Sequence, residues 1–214
     1  FYLFIMIFIW AIALSALYFI HYYKNQKKSD YFNENIITLD IAYKASRDKY
    51  SLLADYIFAN SINNKAILSL FEKGVDAKGE KRDIYRKELY QKLLPLYQKL
   101  QQNSMHQLHF FTHENRSYLR FHKPDRYGDD LSLTRQTMVL ANQKNQNISA
   151  FETGRVVSGF RNLFPLNYNH RHLGSVEISV TTKAILDTLH ILDPRREYRF
   201  ILSKNVVLPK LFKE

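Results

Sequence analysis

The stretch MHQLHFFTHENRSYLRFH, residues 105–122, changes the rhythm of the chain. Upstream of it, apolar side chains recur every three or four positions, the spacing of a helix that hides one face. Here they alternate in two runs, MHQLHFF and RSYLRFH, parted by the turn-forming THEN, and the spacing predicts a β-hairpin. Twofold alternation sends successive side chains to opposite faces of a sheet. Leu108, Phe110, Leu119 and Phe121 therefore share an apolar face, and His109, Tyr118, Arg120 and His122 share the other.

Further strands are expected at 155–165, at 167–168 leading into a turn at Asn169, and at 172–181. They add Phe160, Phe164, Val176 and Ile178 to the apolar face, and Arg155, Arg161 and Glu177 to the polar one. Such a polar face is either the solvated side of a half-buried sheet, with Glu177 paired to an arginine, or a covered surface. Met105, Phe111, Tyr118 and Leu163 fall on the same face and favour a cover. Gly159, inside a strand, marks a close approach by backbone or ligand. Covered arginines require anionic partners, because buried charge without compensation is costly. A small carboxylate gripped by two parallel bonds suits a guanidinium. The candidate ligand-binding set is His109, Tyr118, Arg120, His122, Arg155, Arg161 and Glu177.

Between the hairpin and the later strands, residues 131–142 carry helical spacing and NQKNQNIS reads as a polar loop. Asp129 and Asp130 are adjacent, so their side chains diverge; they are expected to cap a helix starting at Leu131 rather than to act as a catalytic pair. Toward the N-terminus, 83–102 reads as a helix with Leu89, Leu93, Leu96 and Leu100 on one stripe, and Pro95 should kink or divide it. GVDAKGEKRD, residues 74–83, should turn the chain. Residues 30–73 contain no Pro or Gly and space Phe32, Ile36, Leu39, Tyr43, Tyr50, Leu53, Ile57, Ile67 and Phe71 as one long helix. Two helices, a hairpin, a short helix and three more strands make an α+β fold around a mainly antiparallel sheet.

The first 23 residues, FYLFIMIFIWAIALSALYFIHYY, hold no Asp, Glu, Lys or Arg. At ~1.5 Å per residue they can cross a ~30 Å hydrocarbon core, and they read as a transmembrane helix. A cleaved signal peptide would have a shorter apolar region and end in small residues, whereas this one ends in FIHYY.

The chain has no cysteine, which excludes disulfides, thiol catalysis and Cys-based metal sites. Its net charge of +11 is scattered rather than blocked, so anionic lipid or small anions fit better than nucleic acid as partners. His109 with His113, and His170 with His172, lie on strand and turn, where their spacing does not align metal ligands. No phosphate loop, GxSxG or HExxH occurs, so neither enzymatic activity nor a cofactor is expected.

Four blocks in order, LHF, LRFHKPDRYGDDL, FETGRVVSGFR and GSVEIS, resemble the double Cache sensory domains of bacterial transmembrane receptors. The resemblance implies a Per-Arnt-Sim-like membrane-distal module with a ligand pocket on its sheet, a smaller membrane-proximal module and a long connecting helix. It also implies a sensor outside the cytoplasmic membrane, paired as a homodimer through that helix. The cytoplasmic output would be a histidine kinase, a diguanylate cyclase or a chemotaxis signalling domain. The expected organisation is a transmembrane helix at 1–23, a long stalk helix and linker at 24–82, the distal module at 83–181, and a connector with the start of the proximal module at 182–214. Two readings compete with a sensor of small, anionic organic ligands. One is a membrane-anchored assembly protein whose polar face binds a protein; the other is a periplasmic metal sensor.

Overall fold

Fifty-six residues without proline or glycine, Tyr2–Ile57, form one helix, α1, in the computed structural model of this chain, which describes residues 1–154 and 158–207. The chain comprises two units, Phe1–Lys44 and one that begins at Ala45. In the first, the apolar side chains up to Ile41 are exposed, and the helix is long and apolar enough to cross a membrane, with a mean hydropathy of 2.6 in its most apolar window.

The second unit begins with the end of α1, where Tyr50, Ala54 and Ile57 are buried. The single helix expected through residue 73 is not what forms. α1 passes into a short π-helical turn, Phe58–Ile62, and a new helix, α2 (Lys65–Asp76), follows. The physical reason is Asn64, whose extended backbone leaves the helix and whose side chain accepts the Ile67 N–H, starting the next one. Ile67 and Phe71 therefore belong to a separate helix that folds back onto the sheet.

Two residues turn the chain into α3 (Gly79–Gln102), which runs through Pro95 without dividing. Gly79 has φ +54°, the left-handed region that glycine enters at little cost.

The hairpin forms as the alternation predicts: β1 (Gln107–Thr112) pairs antiparallel with β2 (Ser117–Arg120). After α4 (Gln136–Lys144) come β3 (Ile148–Glu152), β4 (Gly159–Tyr168) and β5 (Arg171–Thr181). The sheet is antiparallel throughout, in the order β2-β1-β5-β4-β3. Two short helices close the described chain, α5 (Thr182–Leu192) and α6 (Lys204–Val207).

Several strand boundaries differ from expectation. The polar loop NQKNQNIS runs into β3, which the sequence conceals because only Ile148, Ala150 and Phe151 interrupt its polarity. β4 continues unbroken through Pro165, tolerated because β3 has already ended at the Ile148–Leu163 pair and requires no N–H beyond it. Asn169 and His170, at φ +49° and +60°, make the tight turn to β5. Gly159 marks a close approach by backbone: a Cβ there would overlap the Val180 carbonyl of β5. Past α5, the material expected to begin a new sheet forms no strand among the described residues, and Phe200 packs on Phe151 and Phe160.

The two sheet faces are covered by different elements. Phe110 packs against Phe71 of α2, Phe164 stacks on Phe58 at 4.5 Å, and Phe121 meets Tyr90 and Tyr97 of α3. The opposite face receives α4, whose Met138 and Ala141 bury Phe111 and Leu163. Each fully buried side chain of this size contributes ~1.5–3 kcal/mol, so α4 is held by packing rather than propensity. The polar face is thus covered, as its apolar members suggested.

Candidate functional site

Four charged side chains lie under α4. Arg161 of β4 forms ion pairs with Glu177 of β5 and, at 2.9 Å, with Glu152 of β3. Glu152 lies 3.6 Å from Arg135 and accepts from the N–H and hydroxyl of Thr137. It thereby satisfies the first turn of α4, whose own N-cap, Arg135, supplies no side-chain bond. This corrects the assignment of Asp129 or Asp130 as helix cap. The helix starts at Gln136, not Leu131, and Asp130 instead accepts the Ser132 N–H in the preceding turn.

Burial alone would raise the Glu177 carboxyl, but Arg161, Arg135 and the Ser179 hydroxyl outweigh it and hold it below the usual range. His109, fully buried, shares a 2.8 Å hydrogen bond with Ser117, and burial together with the nearby arginines pushes its pKa well down. Arg161 is 1% exposed, and with Glu177 and His109 it forms a buried layer rather than a surface.

A cavity of about 360 Å³ opens beside this layer, where β1 begins and β2 and β5 end. Its walls include Tyr97, Gln107, Thr134, Gly154 and Thr181, and its charged lining is Arg120, Lys123, Arg126 and Arg135 against Asp129. Gln107 connects cavity and layer, because its Oε1 accepts from Arg161 Nη1 at 2.8 Å. Arg120 donates to both carboxylate oxygens of Asp129, at 2.8 and 2.7 Å, so Lys123 and Arg126 remain in excess, while Arg135 is ion-paired at 3.6 Å with Glu152. Among the described residues, Lys123 and Arg126 have no acidic partner, and Arg135 Nη1 is buried with no hydrogen bond. His122 also lines the cavity; burial, and then Arg120, lower its pKa.

The seven residues singled out by alternation are thus distributed. Arg120 and His122 line the cavity, although β2 ends at Arg120 and His122 stands in the turn beyond it. His109, Arg161 and Glu177 lie in the buried layer. Tyr118 leaves the polar face altogether: register shifts at Phe110/Phe111, so Ser117 takes its place beside His109. Tyr118 packs edge-on against Phe71 and faces Arg86. A bulge adds one residue to a strand and reverses its alternation, which no pattern count detects. Arg155 lies outside the described residues.

Sequence reasoning missed Lys123, Arg126, Arg135 and Glu152. The first three lie in loops or a cap, where periodicity says nothing, and Glu152 ends β3, in the gap between the loop NQKNQNIS and the strand expected from residue 155. Among the described residues, no three His, Asp or Glu side chains gather as metal ligands.

The sequence model described as "Double sensory domain of two-component sensor kinase" matches residues 42–189, more than half of the chain. The chain belongs to this family of Cache sensory domains. No curated protein matches the sequence. Among solved structures, the sensor domain of DcuS from E. coli is similar, with a TM-score of 0.52 and 14% identity, covering 68% of this chain and 98% of that one. The sensor domain of the histidine kinase DctB from V. cholerae gives a TM-score of 0.55 and 15% identity, covering 73% of this chain and 58% of that one. At such identities the likeness is one of fold. The family's domains are sensory, and the chain shares their α+β architecture.

Proposed function

We propose that the chain is the extracytoplasmic sensing portion of a membrane-anchored receptor, and that it binds a small anionic organic molecule, a carboxylate, in the 360 Å³ cavity. The observation that carries this reading is Arg135. A guanidinium is always charged, and Arg135 Nη1, buried beside the cavity, makes no hydrogen bond, since Glu152 approaches it only to the 3.6 Å of a loose ion pair. Such a group calls for an acceptor, and a ligand carboxylate provides one with matching fork geometry. Lys123 and Arg126, exposed at the cavity wall, add positive charge that favours an anion there.

The apolar start of α1 anchors the chain in this reading, and a second copy pairs along the exposed part of that helix. Ligand can bias signalling only through different affinities for two arrangements of the module. Loop 121–130, pinned by Arg120 and contributing Lys123, Arg126 and Asp129, is the element whose position a ligand would change.

The test is a thermal-shift screen of carboxylates and amino acids on the full chain in detergent. A carboxylate should raise Tm, and Arg135→Ala should weaken its binding at least tenfold while the far-UV spectrum stays unchanged. A shift that survives Arg135→Ala intact would remove Arg135 from the site. A response only to a protein partner or to divalent metal would replace the reading.

A further inference from the structure

A second cavity, of about 560 Å³, opens at the other end of the β1–β2 hairpin, where β1 ends and β2 begins. It is lined by Arg82 and Arg86 of α3, Arg116 of the hairpin turn, and Tyr118 and Tyr127. Asp83 and Glu114 are the acids in its lining. It shares no lining residue with the first cavity, but the loop between β2 and α4 serves both: Lys123, Arg126 and Asp129 line the first, Tyr127 and Gly128 the second.

Arg86 is the unusual member. Its side chain is 6% exposed, its carboxylate partner Asp83 is 44% exposed, and its guanidinium carbon lies 3.1 Å from the centroid of the Tyr127 ring. A guanidinium has five N–H donors, and among the described residues Asp83 is the sole hydrogen-bond acceptor for Arg86. Arg82 donates from Nε to the Ala77 carbonyl and from Nη2 to the Val75 carbonyl, and Arg116 donates from Nη1 to the Gly128 carbonyl. All three retain donors at the walls of one concave space. Removing cations from water costs free energy that acceptors must offset, and the acids present are fewer than the guanidiniums.

We infer that this second cavity is a site for a small oxyanion, a phosphate or phosphate ester, held by Arg86 and Arg116 with Arg82 beside them. Three guanidiniums in the lining of one cavity match an anion with several acceptor oxygens better than a single carboxylate. Tyr127, stacked on Arg86, closes the side of the site formed by the shared loop.

Equilibrium dialysis of the full chain in detergent against radiolabelled inorganic phosphate, at constant ionic strength, tests this. Arg135→Ala serves as the background, so that phosphate entering the first cavity is not counted. Saturable uptake of one phosphate per chain should persist there, and Arg116→Ala should weaken it tenfold or more. Arg86→Gln should do the same if the variant folds; Arg116 is exposed, so its variant decides the matter if Arg86→Gln does not fold. Absence of saturable uptake, or uptake unchanged by Arg116→Ala, overturns the site. Failure of the carboxylate screen leaves this result standing, because it concerns the other cavity.

Discussion

Arg120 Nη1 and Nη2 hold the two carboxylate oxygens of Asp129 at 2.8 and 2.7 Å, and Nη1 also donates to the Arg126 carbonyl at 2.7 Å. One guanidinium at the end of β2 thus fixes both arms of loop 121–130. The same bonds hold the Asp129 carboxyl below the usual carboxylate range, ahead of a smaller opposing effect of burial. A strand residue selected by alternation therefore acts on the cavity in two ways, as a wall and as the anchor of a loop.

Asp129→Asn preserves shape and removes the charge that Arg120 grips. The loop should loosen, the urea midpoint should fall, and carboxylate affinity should drop at least tenfold with secondary structure unchanged. Affinity equal to wild type, measured by calorimetry, would show that the loop is held by other means.

Arg161→Ala should act on stability rather than on binding alone. It leaves Glu152 and Glu177 buried without their shared guanidinium, and breaking a buried pair by removing one partner costs ~3–5 kcal/mol. Urea unfolding measures the loss. A loss below about 1 kcal/mol would mean that the carboxylates take up protons or water easily, contrary to the sealed layer seen under α4.

Acid should destabilise the fold starting near the ordinary histidine range. His109 has a depressed pKa in the folded state, so between that value and ~6.5 the unfolded chain binds more protons. Stability contributed by neutral His109 is complete above ~6.5 and is lost as pH falls, at up to ~1.4 kcal/mol per pH unit. Glu177, also depressed, adds loss in the same direction at lower pH, through its folded value. Tm measured from pH 7 to 5 should fall, and His109→Gln should flatten that part of the curve. An identical slope in the variant would assign the loss to other groups.

Pairing along α1 can be read out cleanly because the chain has no cysteine. Phe32, Ile36 and Leu39 are exposed apolar residues at spacings of four and three. Ile36→Cys should cross-link under mild oxidation in membranes. Thr38→Cys, ~200° further round the helix, should not. Equal yields at the two positions would exclude a defined helix pair.

Elements built on repetition were legible in the residues alone. The apolar first segment, the leucine stripe of α3, the 105–122 hairpin and the division of the sheet into an apolar and a charged face all follow from period and composition. These signals are local: hydrophobic spacing reports which side of an element is buried, whatever its neighbours are. Even the covering of the charged face could be anticipated, from Phe111 and Leu163 on it.

What the residues could not specify depends on contacts across the chain. The bulge in β2 sends Tyr118 to the helices and Ser117 to His109, because register is set by pairing with β1. Arg161 looked like a pocket residue, and only the arrival of Glu152 and Glu177 from two other strands turned it into the centre of a buried ion layer. Arg135, Lys123 and Arg126 come together around one cavity from a loop and a helix cap, where spacing carries no information. Charge in the sequence is one-dimensional, whereas compensation of charge requires neighbours in space. Sequence therefore identified the sheet and its polar face, and tertiary structure decided which cations are paired there, because pairing needs neighbours that only folding brings together.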